Sequence, residues 1–223
     1  MPTSRSMRAL VLERNNGPFI LTEAEVPAIT AGLVLVSIKA SGVNPLDTKI
    51  RTGNAAHARV ELPAILGIDL AGVVEAVAPD GTAFKPGDEV YGMAGRVGAL
   101  QGSLATFMAV DADSLAIKPA NLSMREAAAL PLVFITAWEG LVDRAQVHAG
   151  QRVLVHAGAG GVGHVAVQIA RAFGAQVFAT VSKDKMKIAE SYGATAIDYR
   201  SENVEYYVAQ HTDSEASTSS MTR

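Results

Sequence analysis

No cysteine occurs anywhere in the chain, which excludes disulfide staples, thiolate metal ligands and a thiol nucleophile. Aromatic residues are scarce at 5%, so aliphatic side chains must fill the core, and a hydrophobic content of 49% is ample for that. An excess of charge of one sign is also lacking. With 19 basic and 22 acidic residues the net charge is -3, and no broad cationic field is available for a phosphate backbone or an anionic membrane. Nucleic acid and membrane are therefore not expected as partners. The opening stretch MPTSRSMRALVLERNNG offers only the apolar run Ala9 to Leu12 before Glu13 and Arg14, short of a signal-peptide core or a membrane span. Without cysteines or a targeting segment, the expected compartment is the cytoplasm. Neither HExxH nor GxSxG occurs, and His57, His148, His156, His164 and His211 form no pair at metal-ligand spacing. Packing or hydrogen bonding, not metal ligation, is expected of His156 and His164.

From Met7 to about Pro119 the chain reads as short β-branched runs (MRALVLER, FILTEAEVP, LVLVSIKA, AGVVEAVAP, DEVYGM, ATFMAVD, SLAIKP). Strands at this spacing, punctuated by the turn signals Asp80-Gly81 and Pro86-Gly87-Asp88, predict a barrel or sandwich. The period changes near Asn121. Ser123 with Glu126 is a capping-box signature, and helix is expected over Ala127 to Leu130 and Phe134 to Val142, on either side of Pro131. After Gly150 strands and helices alternate: VLVHA, helix 161–173, QVFATV, helix 185–191, AIDY, helix 203–210. This is the βαβαβ order of a parallel sheet. The expected division is a β-rich domain over 1–122, an α/β domain over 123–212, and a polar, disordered tail over 213–223 in which Ala216 and Met221 are the only apolar residues.

The strand VLVHA runs into AGAGGVGH. Gly158, Gly160 and Gly163 match GxGxxG, a weak signal alone but a specific one between a strand and a helix. Gly158 is expected to make the tight turn, Gly160 to let the backbone approach a pyrophosphate, and Gly163 to let helix and strand pack closely. Gly161 and Val162 complete the loop, whose helix offers unpaired N–H groups and a positive dipole end to an anion. At the end of the second strand, where NAD-specific sites place a carboxylate on the ribose, stand Thr180, Val181 and Ser182. Asp184 follows and is expected to cap the next helix. Lys183, Lys185 and Lys187 cluster there, which favours the 2′-phosphate of NADPH over NADH, the alternative being a solvated helix face. Asp47 and Asp69 resemble an acid/base pair, but loop capping or an ion pair with Arg51 explains them more simply.

The stretches GVNPLDTKIRTG (42–53), LGIDLAGVVEAV (66–77), FKPGDEVYG (84–92) and LPLVFITAWEGLVDRAQVHAGQRVLVHAGAGGVGHVAVQIA (130–170) resemble the medium-chain dehydrogenase/reductase superfamily, specifically its zinc-independent quinone oxidoreductase branch, the zeta-crystallin-like enzymes. The resemblance implies a GroES-like β-barrel domain followed by a Rossmann domain of which only the first βαβαβ half is present. Zinc members carry a cysteine and a His-Glu pair where Asn44, Ile68 and Asp69 stand here, so no catalytic metal is expected. The implied reaction is hydride transfer from NADPH to a small-molecule electron acceptor, a quinone or α,β-unsaturated carbonyl.

Carried onto this sequence, the family pattern implies cofactor contacts at Thr136, the glycine loop, Ser182, Lys185 and Tyr199, with Asn44 near nicotinamide and substrate. A tyrosine that many relatives place after NPxD, where it lines the substrate pocket, has no counterpart in DTKIRTG, and the proton donor is unassigned. Relatives also continue past the position of Asp213 with a second half-fold. The resemblance thus implies a C-terminally truncated chain in which VLVHA is an open sheet edge, the usual family dimer is not expected, and turnover is impaired. The alternative function is a nucleotide- or partner-binding module without catalysis.

Overall fold

The computed structural model describes residues 5–58, 60–79, 81–94, 101–212 and 219–221, which form two compact units, Met1–Leu132 and Val133–Arg223. In the first, β1 (Ser6–Leu12) pairs antiparallel with β2 (Phe19–Glu25) along its whole length and, on its other side, with the two-residue β4 (Ala64–Ile65). The second sheet is antiparallel throughout, in the order β7 (Phe107–Asp111), β3 (Leu33–Ser41), β5 (Asp69–Val77), β6 (Glu89–Met93), β8 (Leu115–Ile117). The segment entering β7 joins the sheets: Ala105 bridges Ala9, Leu10 N–H donates to Leu104 O over 2.8 Å, and Thr106 N–H to Arg8 O over 2.9 Å. Val34, Val36, Leu70, Val74, Val90, Met108 and Val110 are buried together, because β-branched side chains at alternate positions of paired strands share one face. Each expected β-run is present; β4 is too short to show in the sequence.

Helix α1 (Pro45–Arg51) follows Asn44, with proline at its first position, where the missing N–H costs nothing. Helix α2 (Met124–Ala128) begins at the expected capping box: Glu126 N–H donates to Ser123 Oγ over 3.3 Å, and Ser123 N–H to Glu126 Oε2 over 2.8 Å. The expected division at 122/123 moves to Leu132/Val133, because Ala127 and Ala128 bury themselves against Ala71 of β5 and tie α2 to the first unit. Helix α3 (Pro131–Trp138) runs into a π-helical turn, Glu139–Arg144.

The second unit is a parallel sheet. β9 (Arg152–His156), β10 (Gln176–Val181) and β11 (Thr195–Asp198) alternate with α4 (Gly161–Ala172) and α5 (Met186–Ser191), and α6 (Val204–Thr212) follows. Unbroken apolar runs mark strands covered on both faces, and Val177, Phe178, Ala179 and Val181 are all buried. Helix α4 turns Val165, Ala166, Val167, Ile169 and Ala170 inward.

The expectation of a wholly disordered tail and an open β9 edge is corrected. β12 (Ser219–Met221) pairs in parallel with β9, Ser219 opposite Val153 and Met221 opposite Val155, giving the order β11-β10-β9-β12. Strand pairing uses backbone N–H and C=O groups that every residue here carries, so polar composition does not prevent it. Residues 213–218, 222 and 223, also assigned to that tail, and Asp80 of the expected turn lie outside the described residues.

Candidate functional site: a glycine loop and a buried carboxylate

The glycine loop sits where the sequence predicts it, with its roles distributed differently. The sharp turn after β9 is made by Ala157 at φ 54°, a left-handed conformation rarely adopted outside glycine, and not by Gly158. Gly158 is required by crowding instead: a Cβ there would lie 2.5 Å from Ala179 Cβ of β10. Gly163 allows the helix to meet the loop, since its Cβ would fall 2.1 Å from Ala157 O and 2.9 Å from Gly158 Cα. A Cβ on Gly161 would touch only Val133 Cγ1, at 3.5 Å, and one on Gly160 would approach Ala157 O at 3.1 Å. Two glycines are thus demanded by packing, while the two at the head of α4 keep its entrance clear.

Gly160 is the N-cap and no side chain caps α4, so the first N–H groups of the helix, including those of Gly161, Val162 and Gly163, face outward without an intrahelical partner. This donor set suits a pyrophosphate. His164 Nδ1–H donates to Gly160 O over 3.0 Å, since a carbonyl can only accept, and His156 Nδ1 lies 3.0 Å from Thr180 Oγ1. Both histidines hold the loop and strands, as expected. Thr136 lies on α3 one turn beyond Val133, the residue nearest Gly161.

At the carboxyl end of β10, Ser182 opens a short 3₁₀ turn, Lys183–Lys185, whose lysines are exposed. Asp184 does not cap the next helix: the N-cap of α5 is Lys185, with no side-chain cap. The Asp184 carboxylate accepts instead from the Ser182 hydroxyl, which with nearby Lys185 and Arg200 holds it below the usual carboxylate range. Tyr199 leaves the end of β11 beside them, its N–H donating to Val181 O over 3.3 Å.

Asn44 lies in the first unit, buried at the start of α1, and its Nδ2 donates to Asp69 Oδ2 over 2.9 Å. Leu132 N–H donates to the same oxygen over 3.2 Å. Asp69 is wholly buried, and its Oδ1 has no partner among the described residues. Burial pushes its carboxyl up to about 6; the bonds from Asn44 and Leu132 oppose the shift and the charge of Asp47 adds to it. Asp47 accepts from Asn44 N–H over 2.8 Å, the capping role of the two alternatives, while Arg51 donates to Gly17 O over 2.9 Å and not to a carboxylate. Burial raises Asp47 as well. The sequence signals missed Asp69 as the partner of Asn44, Asp184 as the acceptor of Ser182, and Ala157 as the left-handed residue; only LGID and its neighbouring motif hinted at the first.

Residues 30–120 match the alcohol dehydrogenase GroES-like domain family, and residues 161–219 match the zinc-binding dehydrogenase family. A solved structure, an alcohol dehydrogenase superfamily protein from Novosphingobium aromaticivorans, superposes with a TM-score of 0.93 at 56% identity, over 96% of this chain and 64% of that one. The chain belongs to the medium-chain dehydrogenase/reductase superfamily. Within it, the chain is 46% identical over 187 residues to 2-methylene-furan-3-one reductase of Solanum lycopersicum, covering 81% of this chain and 48% of that protein. It is 41% identical over 212 residues to the chloroplastic NADPH-dependent alkenal/one oxidoreductase of Arabidopsis thaliana, covering 90% and 54%. The chain spans about half the length of the curated relatives it matches. No helix among the described residues is long and apolar enough to cross a membrane.

Proposed function

We propose that this member of the superfamily serves a zinc-independent reduction of an α,β-unsaturated carbonyl, of which a quinone is the doubly conjugated case, with NADPH as the reductant. The observation that carries the reading is the strand–loop–helix unit at Gly158 to Gly163 with Ser182, Lys183, Lys185 and Tyr199 gathered at the neighbouring strand ends. The fit to a dinucleotide rests on the clear entrance at Gly161 and the uncapped helix. Two curated relatives, a furanone reductase and an alkenal/one oxidoreductase, support a conjugated carbonyl as the acceptor, and the second supports NADPH.

A nicotinamide cofactor bound here would supply a hydride for the β-carbon of the conjugated carbonyl, and the enolate that results would need one proton. The chain contributes binding and orientation. Backbone N–H groups of Gly161, Val162 and Gly163 hold the pyrophosphate, while Ser182, Lys183 and Lys185 receive the 2′-phosphate beside Tyr199. Thr136 and Asn44 are assigned to the nicotinamide and substrate by family resemblance, and the hydrogen bond to Asp69 fixes the rotation of the Asn44 amide. Zinc independence is supported by Asn44 and Ile68, which offer neither thiolate nor imidazole. The acceptor is a small molecule, and neither nucleic acid nor membrane is proposed as a partner. The proposed compartment is the cytoplasm.

A second reading follows from the chain spanning about half its curated relatives: the stretch binds NADPH without turning over an acceptor. Titration with NADPH and NADH, followed by absorbance decay with an enone in the presence of a chelator, tests both. Tighter NADPH binding with chelator-resistant turnover supports the enzyme, and binding without turnover supports the module. Absence of NADPH binding overturns both.

A further inference from the structure

The strand ends that hold Ser182 and Lys185 also bring in Arg200, which lies outside the glycine-loop motif. β10 and β11 run in parallel with Val181 opposite Asp198, so Ser182 to Lys185 and Tyr199 to Arg200 leave the same edge as neighbours. Arg200 is fixed there. Its N–H donates to Asp198 Oδ1 over 3.1 Å, its Nε to Tyr199 Oη over 3.3 Å, and its guanidinium carbon lies 5.6 Å from the Tyr199 ring centre. The bond to Asp198 comes from the backbone, and the one to Tyr199 uses only Nε of a guanidinium that carries five donors. Asp184 lies in the 3₁₀ turn that leaves β10 and does not cap α5, whose N-cap has no side-chain bond.

A hydroxyl, an ammonium and a guanidinium, the groups that recognise a phosphate monoester, thus leave the same pair of strand ends as a carboxylate of the chain itself. A phosphate dianion carries more charge and more acceptor oxygens than that carboxylate and competes for the same donors. A free ribose hydroxyl, by contrast, is accepted by a carboxylate and gains nothing from the cations.

We propose that Asp184 is a resident anion in this seat and Arg200 its specificity-determining cation, so that the pair sets how strongly the site prefers a cofactor with a 2′-phosphate. The inference rests on the NADPH reading and deepens it. Asp184 weakens the preference and Arg200 strengthens it.

The test is calorimetric titration of the protein with 2′-phosphoadenosine diphosphoribose and adenosine diphosphoribose, probes that carry no nicotinamide and give no turnover. Arg200→Gln is expected to lower the preference for the phosphorylated probe about tenfold, leaving adenosine diphosphoribose affinity unchanged. Arg200→Lys should recover part of it, because charge returns without the fork. Asp184→Asn is expected to raise the preference roughly threefold. Both side chains are exposed, so thermal midpoints should stay at the wild-type value. Variants that shift the two probes equally, or shift neither, overturn the proposal. A wild-type protein with equal affinities overturns the NADPH reading instead; the pairing then stands if Asp184→Asn acquires a preference and falls if it does not.

Discussion

Asp69 and Asp184 are the same side chain in opposite settings. In the first unit Asp69 is wholly buried, accepts two hydrogen bonds on one oxygen and has its carboxyl pushed up to about 6. In the second, Asp184 is exposed, accepts from a hydroxyl beside two cations, and is held below the usual range. Desolvation dominates the first and local donors dominate the second. The buried carboxylate organises the loop around Asn44 before any ligand arrives, whereas the exposed one competes with the ligand itself.

The largest effect that breaks this contrast is expected at the loop of the second unit. Gly163→Ala places a Cβ 2.1 Å from a backbone oxygen, which cannot move without shifting α4 from β9. A loss of about 3 kcal/mol or more is expected in chemical denaturation, with cofactor binding lost in parallel. Next comes Asp69→Ala, which removes the acceptor of the buried Asn44 amide and is expected to cost about 2–4 kcal/mol.

A pH series sharpens the same point. The folded-state pKa of Asp69 lies above its unfolded value, so the folded protein holds this proton longer and stability falls as pH rises from the unfolded value towards 6. The full loss is on the order of 3 kcal/mol and is constant above that window. Asp47 acts in the same direction, while the lowered Asp88 and Glu126 act oppositely, so urea curves of wild type and Asp69→Asn across this range isolate the contribution. An unchanged slope in Asp69→Asn would show that Asp69 does not titrate there.

The smallest stability effect is expected from Gly161→Ala, whose Cβ meets only Val133 at ordinary contact distance. Its denaturation midpoint should match wild type, while NADPH affinity drops several-fold, about 1 kcal/mol, because the methyl group intrudes at the head of α4. Equal NADPH affinity would remove the pyrophosphate from that entrance.

Much of this fold is readable in the chain because its signals are local. Alternation in LVLVSIKA, the Ser123/Glu126 box and the run QVFATV each fix an element through periodicity or capping within one segment. The strand–loop–helix setting of the glycine loop was readable for the same reason. The Asn44–Asp69 bond spans 25 residues and has no local signature. The adoption of Ser219–Met221 as a strand is also invisible to composition, because β9 supplies the missing partner through its backbone.

The sequence by itself determined most element types, though not β4 or β12, together with the strand–loop–helix setting of GAGGVG and the superfamily, since each depends on residue chemistry repeated at short range. Only the tertiary structure decided which glycine bears which duty, that Ala157 makes the left-handed turn, and that Asp184 shares its edge with Arg200. Those outcomes depend on which backbone atoms lie opposite one another across separate strands, a property set by register and packing.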